Sequence, residues 1–177
     1  MSETARIDRG MSRPLTTSWP RTLMPIPMQS LNFPRQYDFD FRASGEKRTI
    51  FDPLRRKHVR LTPEEWVRQN LVQHLVQDLG FPAGRTAVES AFAYGGMQHR
   101  ADVIVYNGRG EPVLMAECKA PDVKIKQQAF DQIARYNTSV GTNYLVVTNG
   151  ITHYCYALDR EERSYRFLDS LPRYQDL

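Results

Sequence analysis

Three charged side chains stand at the ends of two neighbouring apolar segments. Asp102 lies near the start of the first segment, Ala101 to Tyr106, while Glu117 and Lys119 close the second, Val113 to Lys119. Both segments are rich in Val, Ile, Leu and Met, a composition typical of buried strands. Because side chains alternate along a strand, Glu117 and Lys119 share one face. If Asp102 lies on that same face, two carboxylates and an ammonium group converge at one end of a sheet.

Such a convergence has two interpretations. A charge in an apolar setting persists only if it is paired, hydrogen-bonded or bound to a metal. The simpler interpretation is an ion pair of Lys119 with Glu117 or with Asp102 at a strand end. The apolar strands around the acids favour a functional site instead. Two hard oxygen ligands suit Mg²⁺, and a neighbouring lysine can orient or deprotonate an attacking water.

The turn between the two strands is also encoded locally. Asn107-Gly108 supplies the positive backbone torsions of a tight hairpin, and Gly110 and Pro112 loosen the connection. Along the first strand, Asp102 should share a face with Ile104 and Tyr106.

These residues resemble the PD-(D/E)xK nuclease core, in which an aspartate precedes an E-x-K triplet. Asp102 is followed fifteen residues later by Glu117, Cys118 and Lys119, and the pair Gln132 and Tyr136 forms the Q-x-x-x-Y motif of one nuclease branch. Four longer segments are similar to the N-terminal domain of the R (motor) subunit of type I restriction enzymes. Their sequences are RADVIVY, VLMAECKAP, FDQIARYN and YLVVTNG. They are more similar still to short stand-alone proteins classed with that domain. The likeness covers about residues 31–157.

The resemblance implies Mg²⁺-dependent hydrolysis of DNA phosphodiester bonds, with Mn²⁺ as a substitute ion. It implies that Asp102 and Glu117 ligate the metal together with the Cys118 backbone carbonyl. Lys119 would then activate or orient the attacking water. The motor motifs of full-length restriction subunits are absent from this sequence, so we expect no nucleotide cofactor.

A helix beginning near Leu61 is expected to bring a further acid to the site. Thr62 is a good N-cap, Pro63 suits the first helical position, and Glu65 completes a capping box, while Gly80 ends the helix. On a helical wheel, the apolar face runs through the valines and leucines of 67–79.

Two glutamates on this helix compete for that role. Glu64 and Arg68 fall within the apolar face, whereas Glu65 falls at its edge. Nuclease cores of the resembling family carry a first-helix glutamate that points at the metal, and the wheel favours Glu64, with Arg68 beside it in a supporting position. The alternative is a surface Glu64–Arg68 pair, worth only tenths of a kcal/mol.

The second helix is expected over Ile125 to Val140. Gln132 and Tyr136 lie one turn apart on one flank of its buried stripe, which suggests an amide and a hydroxyl reaching the rim of the site. Lys124 and Lys126 precede the first turn, where a bound anion is favoured, although a solvated lysine pair is the simpler interpretation.

Two residues near Asp102 in the sequence are weaker candidates. Arg100 is a candidate phosphate contact. Glu89, on the preceding strand, is either a further acid near the site or a solvent-facing strand residue, and the second alternative is favoured.

Composition limits the remaining options. Residues 1–60 hold twelve Lys/Arg against six Asp/Glu, and residues 61–177 hold twelve against fourteen. The basic excess of the first part suits nucleic-acid phosphates and equally an ordinary solvated segment. No apolar run approaches the ~20 residues of a membrane span. Two cysteines make neither a disulfide framework nor a zinc set, and by elimination a cytoplasmic protein is expected.

The predicted architecture is an α/β fold, a restriction-endonuclease-like αβα sandwich with a central mixed sheet. A flexible arm over residues 1–30, a β elaboration over 31–60, a nuclease-like domain over 61–170 and a tail over 171–177 are expected. DNA is the expected partner, together with a second copy or restriction-system subunits. The alternatives are a catalytically silent DNA-binding module or an assembly module of a restriction or defence complex.

Overall fold

The computed structural model describes residues 28–177. Most of the arm expected over residues 1–30 therefore lies outside the described residues. The described part begins with an irregular segment that runs along the main body. Asn32 N–H donates to the Gly150 carbonyl at 2.6 Å, and Leu31 and Phe33 pack against the core.

A small antiparallel sheet follows this segment, as the sequence predicts. Strands β1 (Phe41–Ser44), β2 (Lys47–Asp52) and β3 (Lys57–Arg60) pair in that order. Ile50 in the middle strand is fully buried. The buried Asp52 carboxylate accepts the Leu54 and Arg55 backbone N–H groups, which shapes the β2–β3 turn.

The main sheet has six strands in the order of the chain. These are β4 (Thr86–Tyr94), β5 (Met97–Tyr106), β6 (Pro112–Cys118), β7 (Tyr144–Thr148), β8 (His153–Asp159) and β9 (Ser164–Leu168). β6 and β7 are parallel and the other neighbours are antiparallel, so the sheet is mixed. The parallel pair needs a crossover, which the second helix provides.

Two helices cover the two faces of this sheet. Helix α1 (Pro63–Gln73) starts at its predicted N-cap, where the Thr62 hydroxyl accepts the Glu65 N–H at 3.0 Å. Helix α2 (Gln127–Val140) ends at Gly141, whose φ of 80° gives the left-handed conformation that glycine tolerates. No helix among residues 28–177 is long and apolar enough to cross a membrane.

The core is divided between the two faces of the sheet. One cluster packs α1 residues such as Val67 and Leu71 onto Val103, Leu114 and Val146. The other cluster packs the α2 face onto the opposite side of the strands and is made of Ala101, Ile104, Met115, Ile133, Leu145 and Val147. The predicted αβα sandwich with a mixed sheet and an N-terminal β elaboration is therefore confirmed.

Several local expectations are corrected. The first helix does not continue as α-helix to Gly80, because His74–Asp78 forms a π-helical turn in which His74 Nδ1 and Asp78 Oδ2 lie 2.9 Å apart.

In the hairpin, the positive φ is at Gly110 (79°) instead of at the Asn107-Gly108 step. The Asn107 side chain closes that turn by accepting the Arg109 and Glu111 N–H groups.

The last residues, expected as a tail, pack on the body. Tyr174 N–H donates to the Leu79 carbonyl at 2.9 Å, and the Tyr174 ring lies 5.5 Å from that of Phe81. This segment therefore covers the end of the first helical stretch.

Candidate active site

The candidate site lies where strands β5 and β6 separate. Their ladder ends at the Val103–Ala116 pair. Beyond it, the Cys118 N–H donates to Asp102 Oδ2 at 2.6 Å, so a side chain replaces the missing strand partner. A buried N–H without a partner is costly, and this bond also fixes the position of the Asp102 carboxylate against β6.

Strict side-chain alternation also breaks at this point. Ala101 and Ile104, which alternation would put on opposite faces, both belong to the cluster under α2. Asp102 instead contacts Arg68 of α1, with 3.1 Å between Asp102 Oδ1 and Arg68 Nη2. The expectation that Asp102 shares the side of Ile104 is therefore wrong, since the end of the ladder frees the chain from the regular pleat.

Asp102 and Glu117 are close enough to influence each other electrostatically. Burial and then the Glu117 charge raise the pKa of Asp102 from 3.8 to about 7, against the opposing effects of the Cys118 N–H and Arg68. The Asp102 side chain is 13% exposed and that of Glu117 14%. Two largely buried carboxylates of like charge therefore lie near each other at the strand ends.

Lys119 completes the charged group at the end of β6. Its Nζ donates to Glu117 Oε1 at 2.7 Å, and its backbone N–H donates to the Thr148 carbonyl of β7 at 2.8 Å. Burial alone would lower the pKa of Lys119, but the hydrogen bond and charge of Glu117 outweigh it and raise the pKa. Lys119 is therefore a cation at neutral pH.

Cys118 lies between these two residues and packs inward. It is fully buried in the cluster under α1, and burial raises the pKa of its thiol well above the usual value. Packing, rather than thiol chemistry, is its structural role.

The two first-helix glutamates have different surroundings. Glu65 is buried: Oε1 accepts Arg55 Nη2 and Gln69 Nε2, both at 2.8 Å, and Oε2 pairs with Arg68 Nη1 at 2.9 Å. In the predicted capping box, the Glu65 carboxylate would bond back to the Thr62 backbone N–H. Here it bonds to these three side chains instead. Glu64 is 46% exposed and 3.7 Å from Arg68 Nη2.

Glu64, unlike Glu65, adds to the negative charge around the site. Its charge helps to raise the pKa of Asp102, after the larger effects of burial and of Glu117. Its charge also adds to the effect of Glu117 that raises the pKa of Lys119. The structure thus places Glu64 beside the strand-end cluster at a half-exposed position, although the wheel puts it within the apolar face.

Of the two residues expected on the flank of α2, Tyr136 contacts the β4–β5 hairpin. The Tyr136 ring packs in an aromatic cluster with Phe92, Tyr94 and His99, and its centroid is 4.7 Å from that of His99. Within residues 28–177, Gln132 makes no hydrogen bond to Asp102, Glu117 or Lys119.

The candidate phosphate contacts are exposed. Arg100 is 72% exposed and 3.6 Å from Glu89 Oε2. Lys124 and Lys126 are exposed immediately before α2 begins. All three remain accessible to an anionic partner.

Glu89 lies beside the site, so the favoured solvent-facing alternative is wrong. Its side chain is only 28% exposed, and Oε1 pairs with Arg68 Nη1 instead of facing solvent. It stands between Val88 and Ser90, whose partners flank Asp102, so it lies opposite Asp102 across the hairpin. Strand alternation gives no warning of this contact, because the Glu89 φ of 52° departs from strand geometry.

The chemistry of the donors fits a divalent cation, although the set is small. Among the described residues, no group of three or more His, Cys, Asp or Glu side chains is placed to hold a metal ion. Asp102 and Glu117 supply two hard oxygen donors whose charges interact at the strand ends. A cation with water and phosphate oxygens in its remaining positions matches such a pair.

The fold and this strand-end cluster define an αβα protein with paired carboxylates and a lysine at the point where two strands diverge. Residues 63–172 match the family described as Type I restriction enzyme R protein N terminus (HSDR_N). The chain belongs to this family.

Among solved structures, the chain is similar to a fragment assigned as the HsdR subunit of a type I restriction enzyme from Vibrio vulnificus YJ016. The identity is 21% and the TM-score 0.49, and the match covers 63% of this chain and 24% of that chain. A comparison with curated proteins finds no match.

Proposed function

We propose that this domain is a metal-dependent nuclease that hydrolyses DNA phosphodiester bonds within a restriction system. The observation that carries the proposal is the convergence of Asp102, Glu117 and Lys119 at the divergence of β5 and β6. A purely structural strand end does not require two largely buried carboxylates beside each other, because such charges cost stability.

The residues have distinct roles in this proposal. Asp102 and Glu117, with the Cys118 carbonyl, would hold Mg²⁺ or Mn²⁺. When bound, such an ion supplies a Lewis acid and a more acidic water. The Cys118 N–H holds the Asp102 carboxylate in place, which limits its motion before substrate arrives.

Lys119 acts as a fixed positive charge in this scheme. Because its pKa is raised, it orients water or offsets charge on the phosphate and does not serve as the base. Glu117 holds the ammonium at 2.7 Å. Glu64 extends the acidic group from the helix side, and Arg100, Lys124 and Lys126 are exposed cations for the DNA backbone.

The partners follow from the family. DNA and the other subunits of a restriction system are the proposed partners, and a second copy of the chain would double the cleavage sites. Substrate selection is assigned to these partners and to the surrounding loops.

A second candidate is a catalytically silent module that binds DNA or assembles a complex. The observation in its favour is that each strand-end carboxylate already has a cation of this chain, Arg68 on Asp102 and Lys119 on Glu117. Such pairs satisfy the charges without metal.

The test is cleavage of linear, nicked, branched and single-stranded DNA with Mg²⁺, Mn²⁺ or EDTA. The nuclease proposal predicts metal-dependent products from the wild-type protein and none from Glu117→Gln or Lys119→Met at unchanged melting temperature. Glu111→Gln, an exposed acid in the β5–β6 turn, is the matched control and should cleave normally. DNA binding without cleavage under every condition would favour the silent module.

A further inference from the structure

Arg68 is a buried cation surrounded by acids. Its side chain is 6% exposed, and its terminal nitrogens lie 2.9 Å from Glu65 Oε2, 3.1 Å from Asp102 Oδ1 and 3.7 Å from Glu64 Oε1, with Glu89 Oε1 also in contact. One positive charge is thus shared by four carboxylates. Burial alone would lower the pKa of Arg68, but Asp102, Glu65 and Glu89 outweigh it and raise the pKa, so the charge is permanent.

The guanidinium group is nevertheless incompletely bonded. Among the described residues, Arg68 Nε is buried and has no hydrogen-bond partner. A buried donor without a partner destabilises the arrangement that leaves it unpaired. The arrangement that pairs Arg68 with Asp102 therefore leaves part of its hydrogen-bonding capacity unused, which lowers the cost of a rearrangement.

Glu89 holds the other side of Arg68 at a conformational cost. Its φ of 52° lies in the left-handed region, which is strained for a non-glycine residue. This backbone turns the Glu89 carboxylate towards Arg68, at a position opposite Asp102. Strain of this kind persists only where the surrounding contacts compensate for it, and the Arg68 ion pair is such a contact.

Asp102 Oδ1 cannot serve two cations fully at once. It is bonded to Arg68, while Oδ2 accepts the Cys118 N–H. A divalent ion that takes Asp102 as a ligand meets the Arg68 charge at the same carboxylate, and repulsion between the two cations favours displacement of Arg68. Glu65 and Glu89 are already in contact with the guanidinium and can retain it after displacement.

We propose that Arg68 is the resident counter-cation of Asp102 and competes with the divalent ion, and that Glu89 sets the metal affinity by drawing Arg68 away from Asp102. This proposal rests on the metal-dependent function proposed above and adds a positioning role for two residues. Arg68 and Glu89 act through Asp102 and do not touch substrate.

Competition between Arg68 and the metal predicts a change in metal affinity opposite to the one expected if Arg68 only shaped the site. Removing Arg68 removes the competitor, so metal binding becomes tighter. A residue that merely shapes the site would weaken metal binding when removed. Removing the Glu89 charge leaves Arg68 more firmly on Asp102, so metal binding becomes weaker.

The experiment is calorimetric titration of EDTA-treated, DNA-free protein with MgCl₂ and with MnCl₂. Arg68→Gln is expected to lower the metal dissociation constant on the order of fivefold or more, and Glu89→Gln to raise it by a similar factor. Arg68→Lys keeps the charge and returns the constant towards the wild-type value. Arg109→Gln and Glu111→Gln change the same charges at an exposed turn and serve as controls with unchanged constants.

The outcomes separate the two proposals. Weaker or unchanged binding in folded Arg68→Gln, with wild-type binding intact, overturns the competition and leaves the nuclease proposal standing. A wild-type protein that binds neither ion overturns both proposals.

If Arg68→Gln does not fold, the proposal is tested by metal titration of Glu89→Gln and of the wild-type protein. Glu89 is partly exposed, so its amide variant is the milder change. In the wild-type protein, the NMR signal of the Arg68 side chain should shift during Mg²⁺ titration. The midpoint of this shift should equal the midpoint of the calorimetric titration. An unshifted signal, or an unchanged constant in Glu89→Gln, overturns the proposal.

Discussion

Replacing Asp102 by Asn tests the electrostatics of the site without any nuclease assay. Burial and Glu117 raise the pKa of Asp102 from 3.8 to about 7 in the folded, metal-free protein. A folded-state pKa above the unfolded value means that ionisation is harder in the folded state. The free energy of unfolding therefore falls as pH rises from about 3.8 to about 7, and the loss is complete above that range.

Asn cannot ionise and so lacks this loss, while its amide oxygen can still accept the Cys118 N–H. With the two pKa values above, the ionisation penalty is about 2 kcal/mol at pH 5 and about 4 kcal/mol at pH 8. The unfolding free energy of Asp102→Asn minus that of the wild type should therefore rise by about 2–3 kcal/mol between these pH values.

The assay is urea denaturation in EDTA at several pH values, with the exposed Asp131→Asn as control. The control removes the same charge at an exposed position, and Asp102→Asn should show the larger rise of the two. Saturating Mg²⁺ should favour ionised Asp102 and reduce the advantage of Asp102→Asn, since the metal requires the deprotonated ligand. A flat difference for Asp102→Asn in EDTA would refute the reasoning, because Asp102 would then ionise like an exposed acid.

Three further predictions concern the framework around the site. A Cβ at Gly150 would lie 2.7 Å from the Leu31 side chain at a φ of 80°, so Gly150→Ala should cost more stability in thermal melts than Gly45→Ala, where the space is open. Burial lowers the pKa of His153, so the free energy of unfolding should fall as pH drops below about 6.5, and His153→Gln should remove that part of the pH dependence. Leu71 is fully buried, and Leu71→Ala should cost about 2–5 kcal/mol in urea denaturation.

The sequence is informative where one local signal decides the structure. Thr62 and Pro63 start α1 as predicted, because an N-cap hydroxyl and a proline act within one turn. The β6–α2–β7 crossover also follows from an apolar strand, an amphipathic helix and another apolar strand. These are short-range patterns that depend little on the rest of the fold.

The contacts of the site depend on tertiary structure that no local pattern contains. Glu89 meets Arg68 because its backbone leaves strand geometry, and Glu65 is buried because Arg55 arrives from the N-terminal sheet. Tyr136 joins the aromatic cluster of the β4–β5 hairpin, since both elements meet only in the folded chain. Helical wheels and strand alternation specify directions, but they do not specify which partner arrives.

The most direct test of the proposed nuclease is a single comparison of wild-type protein with Glu117→Gln on DNA in the presence of Mg²⁺ or Mn²⁺. The wild-type protein should cleave DNA only with the metal and lose that activity in EDTA, and Glu117→Gln should fold normally and leave DNA intact. Cleavage that persists in Glu117→Gln or in EDTA would contradict the assignment of the catalytic centre to the end of β5 and β6.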